Sequence, residues 1–361
     1  MNILIIKLTS LGDVIHTLTA LSSLSNTGTL KIDWLVAPEY QSLLALHPAI
    51  HRSIACPLRH WRGRYRQALQ SGEVRQFLKN LREDSYDIII DAQSALKTAV
   101  LSRLCRLNPG GRIIGYDKNN VREYGAHWAY HQKLPIDKQQ HAIVRLIQLL
   151  NGALGAQTSA SSSESPTKSR DAQILKLNLD WSRLPNLSIS LPKRFVLAIP
   201  NTTWPSKHWP DAHWLGVFNK ITIPILIPAG NSHEQARAAE LQQRAKQSDQ
   251  QKQVICLPKM SLPELIQIIR HASLVISVDT GLGHLAAGLG TPAIHLYGPT
   301  NPNKIGARGE NQILLKADYA CGKDCKRRCG KPEFSIYSSA CMAALRPEEV
   351  LQYCHVESDE V

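Results

Sequence analysis

The sequence predicts an α/β protein made of two Rossmann-like, doubly wound parallel domains, and three observations carry that. Short apolar runs alternate with helical patterns along both halves, as in βα repeats wound around a parallel sheet. The chain has 361 residues, room for two domains of about 150 residues each. Between the halves, residues 158–169 are nearly free of apolar side chains, the composition of a flexible connection.

The second half holds the most informative stretch. Residues 274–278 read as a buried parallel strand, which stops abruptly at Asp279-Thr280-Gly281. A small-residue helix with Leu285 and Leu289 on one face follows, and residues 293–297 form the next strand. Polar residues thus fall at the carboxyl end of a strand, where open α/β sheets bind ligands. The amides that open the helix lack intrahelical partners and carry its positive end, so they can hold a phosphate. Asp279 can bind a ribose or an amide, and His284 lies one turn into the helix. An ordinary βα turn with a capping Asp accounts for the same residues.

In chain order, residues 3–6 are the first buried strand, 8–13 a loop, and Val14, Leu18 and Leu21 one face of the helix after it. Asp13 then stands where a strand meets a helix N-terminus. Helix capping, worth about 1 kcal/mol, suits it, and so does general-base catalysis. Residues 31–37 are the second strand. Arg59, Arg62, Arg64 and Arg66 follow, interleaved with Trp61 and Tyr65. Such a cluster grips phosphates or carboxylates, forms a nucleic-acid patch, or is simply a solvated basic face. No helix-turn-helix, RNP-like run or zinc-finger spacing accompanies it. Residues 86–91 and 112–115 are further strands. The polar segment 116–140, with Arg122, Trp128 and Tyr130, reads as a surface excursion beside a cleft. A helix starts at His141.

In the second half the strand 195–199 leads to Thr202, Thr203 and Lys207, which suit a phosphate at a strand's carboxyl end. The strand 223–227 leads to Glu234 and a polar helix. Ser261-Leu262-Pro263-Glu264 is a capping box with proline in the first turn, and it leaves Met260 just outside a helix at the presumed ligand edge. Arg346-Pro347-Glu348 starts a last short helix.

The chain is 43% hydrophobic, so it can fill large cores, and its formal net charge of +13 favours polyanionic partners: nucleic acid, anionic lipid or phosphorylated sugars. Eight cysteines are not spaced as the framework of a small secreted domain. Cys321, Cys325, Cys329 and Cys341 can hold a structural zinc, although the first gaps are three residues rather than two; unligated thiols are the other reading. The N-terminal apolar run is too short for a signal peptide, and no stretch nears the ~18 apolar residues of a spanning helix. The expectation is a cytosolic protein that can meet a membrane surface.

Four segments resemble one family. Lys7-Leu8-Thr9-Ser10-Leu11-Gly12-Asp13-Val14-Ile15-His16-Thr17-Leu18 is similar to the N-terminal motif of the lipopolysaccharide heptosyltransferases, in the group that adds the first heptose. Asp91-Ala92-Gln93 with Lys97 matches a second segment, and Thr202-Thr203 with Lys207-His208-Trp209-Pro210 a third. Ser277 to Leu285, then Tyr297-Gly298-Pro299-Thr300, matches the nucleotide motif. The resemblance implies glycosyltransferase family 9 and the GT-B architecture, two Rossmann-like domains facing a central cleft. It implies inverting transfer of L-glycero-D-manno-heptose from ADP-heptose to the Kdo residue of Kdo2-lipid A, with no catalytic metal or other cofactor.

Asp13 would be the general base. Thr202, Thr203 and Lys207 would bind the diphosphate, Asp279, Thr280, Gly281 and His284 would complete the donor site, Glu234 would meet the ribose and Met260 the adenine. Arg59, Arg62 and Arg122 would grip the acceptor's carboxylates and phosphates. Residues 1–157 would be the acceptor domain, 158–192 the linker, 193–345 the nucleotide-sugar domain and 346–361 a C-terminal helix and tail. The implied setting is a monomer, without nucleic acid, at the cytoplasmic face of a Gram-negative inner membrane. A family member that adds to an existing core heptose is the alternative; a non-catalytic basic nucleotide- or nucleic-acid-binding protein is a third reading.

Overall fold

The computed structural model describes every residue except 25–29, 156–174, 249–252, 320–326, 328, 330–338 and 355–361. The chain forms two units. One is built from the residues before 156 together with Leu177–Arg183, the other from Leu184 onward with Leu175 and Lys176.

The first unit runs β1 (Asn2–Ile6), α1 (Leu11–Ser22), β2 (Lys31–Val36), α2 (Gln41–Leu44), β3 (Ile50–Ala55), α3 (Tyr65–Gln70), α4 (Glu73–Leu81), β4 (Ser85–Asp91), α5 (Leu96–Leu104), β5 (Arg106–Tyr116), β6 (Gln132–Leu134) and α6 (Ala142–Leu154). The second runs β7 (Val196–Ile199), α7 (Asp211–Phe218), β8 (Ile225–Ile227), α8 (Ser232–Ser248), β9 (Val254–Cys256), α9 (Leu262–His271), β10 (Leu274–Val278), α10 (Gly281–Leu289), β11 (Ala293–Tyr297), α11 (Pro302–Ile305), β12 (Gln312–Lys316), α12 (Ala340–Ala344) and α13 (Pro347–Leu351).

Each unit carries a six-stranded sheet, in the orders β3-β2-β1-β4-β5-β6 and β12-β11-β10-β7-β8-β9, and every strand pairing is parallel. Counted within its own unit, each sheet has the order 3-2-1-4-5-6. The winding reverses between the first and fourth strands, so each sheet opens a crevice there, at its carboxyl edge. In the first sheet that is the β1/β4 junction, in the second the β7/β10 junction.

The strands flanking these junctions are buried on both faces because helices cover them. All five residues of β10 are buried, and each of its apolar side chains gains about 1.5–3 kcal/mol by leaving water. Leu4, Ile6, Ile89 and Ile113 centre one core; Val196, Ile225, Ile276 and Ile294 centre the other.

The structure departs from the sequence reading at several points. Helix α1 begins at Leu11, so Asp13 lies inside the first turn and not in a loop. The linker stretch is partly a strap on the first unit: Asn178 N donates to Ser22 Oγ (3.2 Å) and Arg183 Nη1 to Ala45 O (3.0 Å). The C-terminal helix belongs to the second unit's core through Val350, with Leu351 packed against it. Tyr130, read as part of a surface excursion, is buried, and its hydroxyl donates to Asp91 Oδ2 at 2.8 Å.

Candidate functional site

At the β1/β4 junction the sequence builds a tight polar frame. Asp91 ends β4 fully buried; its Oδ1 accepts from the amides of Gln93 (3.0 Å) and Ser94 (2.9 Å). Burial pushes its pKa up, against the pull of those amides and of Tyr130 and Thr98. The turn so fixed aims Gln93 at the next loop, where its Oε1 accepts from Leu8 N (3.1 Å) and Thr9 N (3.3 Å). Lys7, 7% exposed, donates to Ala92 O at 3.0 Å and stands 3.5 Å from Asp13 Oδ1.

Asp13 caps its own helix. Its Oδ2 accepts from Ser10 N (2.8 Å) and Ser10 Oγ (3.1 Å), the return half of a capping box. The side chain is still 37% exposed, so the carboxylate both closes the helix and faces outward. Burial raises its pKa, but Lys7, the Ser10 amide, His16 and Arg122 outweigh that and hold it below the usual carboxylate range. The group is therefore an anion at neutral pH.

Of the three arginines that the resemblance assigns to the acceptor, Arg122 is the one whose charge reaches Asp13, and its backbone amide donates to Ser94 Oγ at 3.1 Å. Arg59 pairs with Glu39 at 3.1 Å, and the Arg62 side chain is exposed. Gly63 breaks the basic run at φ +88°, so these arginines share no helix. Trp61 is only 3% exposed, packs edge-on against Phe77 and donates to Glu73 Oε2 at 2.8 Å. Arg64 is spent on the same carboxylate at 3.0 Å. Trp61 and Arg64 are thus taken up within the unit, while Arg62, Tyr65 and Arg66 stay exposed.

At the β7/β10 junction the centre is Asp279, 4% exposed. Lys207 Nζ lies 2.7 Å from its Oδ2, Thr300 Oγ1 donates to the same oxygen at 2.7 Å, and His284 Nε2 is 3.4 Å from Oδ1. Burial raises the Asp279 pKa, but the His284 hydrogen bond and the Lys207 charge hold it far below the usual range. Thr202 Oγ1 donates to Asp279 O at 3.2 Å, which ties the end of β7 to the end of β10. Lys207 also rides 4.9 Å over the Trp204 ring. Thr203 is exposed, and its carbonyl accepts from Arg327 at 3.2 Å.

Thr280 is the extended N-cap of α10, and Gly281 is that helix's first residue. Its opening amides face the crevice with the positive end of the helix. The helix sits very close to the sheet: a Cβ on Gly283 would meet Ser277 Oγ at 2.8 Å. Farther along the same carboxyl edge, Glu234 follows β8 and accepts from Gly230 N at 2.7 Å. Met260 follows β9, half-buried, before the Ser261 capping box that the sequence predicts. The edge thus presents Asp279, Thr202, Glu234 and Met260 in strand order.

Sequence reasoning missed Arg237. Buried at 3% exposure, it donates to Pro200 O (2.8 Å), Asn201 Oδ1 (3.2 Å), Trp209 O (3.1 Å) and Asp211 Oδ1 (2.6 Å). One guanidinium so pins both ends of the loop that carries Thr202 and Lys207. Only its place on the buried stripe with Ala238, Leu241 and Ala245 would have marked it.

Cys341 is buried on α12, 3.4 Å from Ser339 Oγ. Cys321 and Cys325 lie outside the described residues, and so does the four-thiol zinc site. Among the described residues no group of three or more His, Cys, Asp or Glu could hold a metal ion, and no helix is long and apolar enough to cross a membrane.

Comparison with known proteins identifies the family. The profile of glycosyltransferase family 9 (heptosyltransferase) matches residues 74–334. Lipopolysaccharide heptosyltransferase 1 of Pseudomonas aeruginosa is 34% identical over 333 residues, 91% of this chain and 87% of that one. The solved structure of Escherichia coli heptosyltransferase WaaC with ADP superimposes with a TM-score of 0.77 at 31% identity, covering 98% of both chains. WaaC with ADP-2-deoxy-2-fluoro heptose gives 0.75 at the same identity and coverage.

Proposed function

Because the chain belongs to glycosyltransferase family 9, the heptosyltransferases, we propose that it transfers L-glycero-D-manno-heptose from ADP-heptose to the Kdo residue of Kdo2-lipid A, with inversion. That it is a glycosyltransferase of the GT-B class follows from the family and from the likeness to WaaC. The donor, the acceptor and the residue roles are our reading. The observation that carries it is the Lys207–Asp279 pair at 2.7 Å, set beside the opening amides of α10.

In this reading Asp279 does not react. It holds Lys207, Thr300 and His284 in place. ADP's diphosphate lies against Lys207, Thr202, Thr203 and the amides from Thr280 and Gly281, whose positive charge meets the charge that grows as the sugar–phosphate bond breaks. Glu234 takes the ribose hydroxyls and Met260 lies along the adenine. Asp13, anionic and outward-facing, takes the proton of the Kdo hydroxyl as its oxygen bonds to the anomeric carbon. ADP departs from the opposite face, so the configuration inverts. Lys207 and the helix amides carry the leaving-group charge, and no metal enters this scheme. Arg59, Arg62 and Arg122 hold the acceptor's anionic groups. The protein works as a monomer at the cytoplasmic face of a Gram-negative inner membrane.

The decisive experiment incubates purified protein with ADP-heptose and Kdo2-lipid A and reads the mass of the lipid product. A gain of one heptose is expected. Bound ADP-heptose with no such gain would move the acceptor to a core heptose.

A further inference from the structure

We propose that the face formed by Leu96, Val100, Tyr124 and Trp128 docks the first unit on an anionic lipid bilayer. The inference rests on the reading of the acceptor as a lipid, and it names the surface that meets that lipid's membrane.

These four apolar side chains are 50%, 60%, 71% and 68% exposed, respectively, an unusual concentration of large apolar groups in water. They are contiguous. Leu96 and Val100 lie one turn apart on α5. Tyr124 and Trp128 meet edge to face, 5.9 Å between ring centres. Leu96 and Trp128 close over Gly125, where a Cβ would meet them at 3.2 and 3.3 Å. Gly125, at φ +94°, is thus fixed twice over: by its left-handed backbone and by the two side chains above it.

The chemistry of the face selects its partner. Tryptophan and tyrosine favour the membrane–water boundary, where a ring is half in hydrocarbon and its polar edge stays wet. Exposed Lys97 follows Leu96 in the chain, exposed Arg122 lies two residues before Tyr124, and exposed Arg103 donates to Trp128 O at 3.4 Å. Glu123 is the acid nearby, and it is occupied: its Oε2 accepts from Leu96 N at 2.8 Å. An apolar centre with a basic rim, on a chain of net charge +13, fits the anionic surface of a leaflet. Depth is limited to adhesion, since among the described residues no helix can span a bilayer.

The position of the face gives it a purpose. Glu123 N donates to Ser94 O at 3.1 Å and Arg122 N to Ser94 Oγ at 3.1 Å, so this surface is built onto the turn that also supports Asp13. A bilayer resting on Trp128 brings a headgroup sugar to the carboxyl edge of the first sheet while the acyl chains stay in the membrane.

The test is co-sedimentation of the full chain with vesicles of phosphatidylglycerol and phosphatidylethanolamine, and with phosphatidylcholine alone, in the absence of donor and acceptor. The protein should partition to the anionic vesicles, and vesicles with brominated acyl chains should quench its tryptophan emission. The double variant Tyr124→Ser with Trp128→Ser should lose about tenfold or more of that partition, while Trp128→Phe keeps it. Unchanged ADP affinity of the double variant shows that the chain is folded. Wild-type protein left in the supernatant, or a double variant that partitions like wild type, overturns the proposal. Turnover separates it from the proposed function. The double variant should match wild type on a deacylated, water-soluble acceptor and fall behind on an acceptor embedded in vesicles. Equal rates on the embedded acceptor count against docking. No transfer to either acceptor by wild type refutes the heptose reading and leaves the vesicle result standing by itself.

Discussion

Asp13 closes a helix and, in the proposed mechanism, also faces the acceptor. Its Oδ2 accepts from Ser10 N at 2.8 Å, while its Oδ1 looks to Lys7 at 3.5 Å. Asp13→Asn separates the two uses. The amide oxygen keeps the cap, so the melting temperature should hold, while turnover should fall about 10²–10⁴-fold with loss of the base. Asp13→Ala should lose the cap as well, about 1 kcal/mol. If Asp13→Asn turns over normally, the residue is only a cap. Arg237 supports the donor loop from behind. Arg237→Ala leaves Asp211 without its buried partner and should cost about 3–5 kcal/mol in urea unfolding, with weaker ADP binding; a loss under 1 kcal/mol would show that the loop holds itself. The cap at Asp13 could be read from the sequence because the residue follows a strand at the start of a helical stripe. Arg237 is harder to read: its one sequence mark is a place on the thin buried stripe of α8 with Ala238, Leu241 and Ala245, and its partners Pro200, Asn201, Trp209 and Asp211 are 26 or more residues away.

At the scale of elements, the parts read correctly and the parts missed divide by position in the sheets. The strands expected from the sequence are the interior ones: β1, β2, β4, β5, β7, β8, β10 and β11. The strands not expected, β3, β6, β9 and β12, are the four edges. An interior strand covered on both faces reads as an apolar run where it is buried, as in β10 and in the last four residues of β5, while the first seven residues of β5, exposed or half-buried, do not read so. An edge strand such as β3, Ile50–Ala55, buries only Ile50 and Ile54 and carries the basic side chains of His51 and Arg52, as edges that resist further pairing do. Helix α10 makes a prediction of its own. Gly283→Ala places a methyl group 2.8 Å from Ser277 Oγ, so the helix must rise from the sheet. A loss of about 1–3 kcal/mol follows from such overpacking, and its opening amides move with it. Weaker ADP binding by calorimetry, with the secondary structure retained, is the expected result; unchanged affinity would take those amides out of the donor site.

For the molecule as a whole, acid is the condition that reaches both units. Burial lowers the pKa of His47 to about 4 in the first unit, and burial likewise lowers that of His295 to about 4 in the second. An unfolded histidine takes its proton near pH 6.5. Between about pH 6.5 and 4 the unfolded chain therefore binds protons that the folded chain refuses, and stability falls as the pH falls. Below the ordinary carboxylate pKa the paired Asp13 and Asp279 add to that loss, because both are held below it. The urea midpoint should drop steadily from pH 7 to 5, and His47→Gln and His295→Gln should each flatten the slope. A midpoint that does not move over this range would mean that both rings take up protons without leaving their places.

Both halves wind their strands in one order, and each half has its own core and its own reversal point. A substitution that reshapes the edge beside β1 does not disturb the packing beneath β7. In the proposed function one half receives the sugar and the other holds the nucleotide, so selection can change the two as separate traits, and a lineage can diversify its acceptors without rebuilding the half that holds the nucleotide.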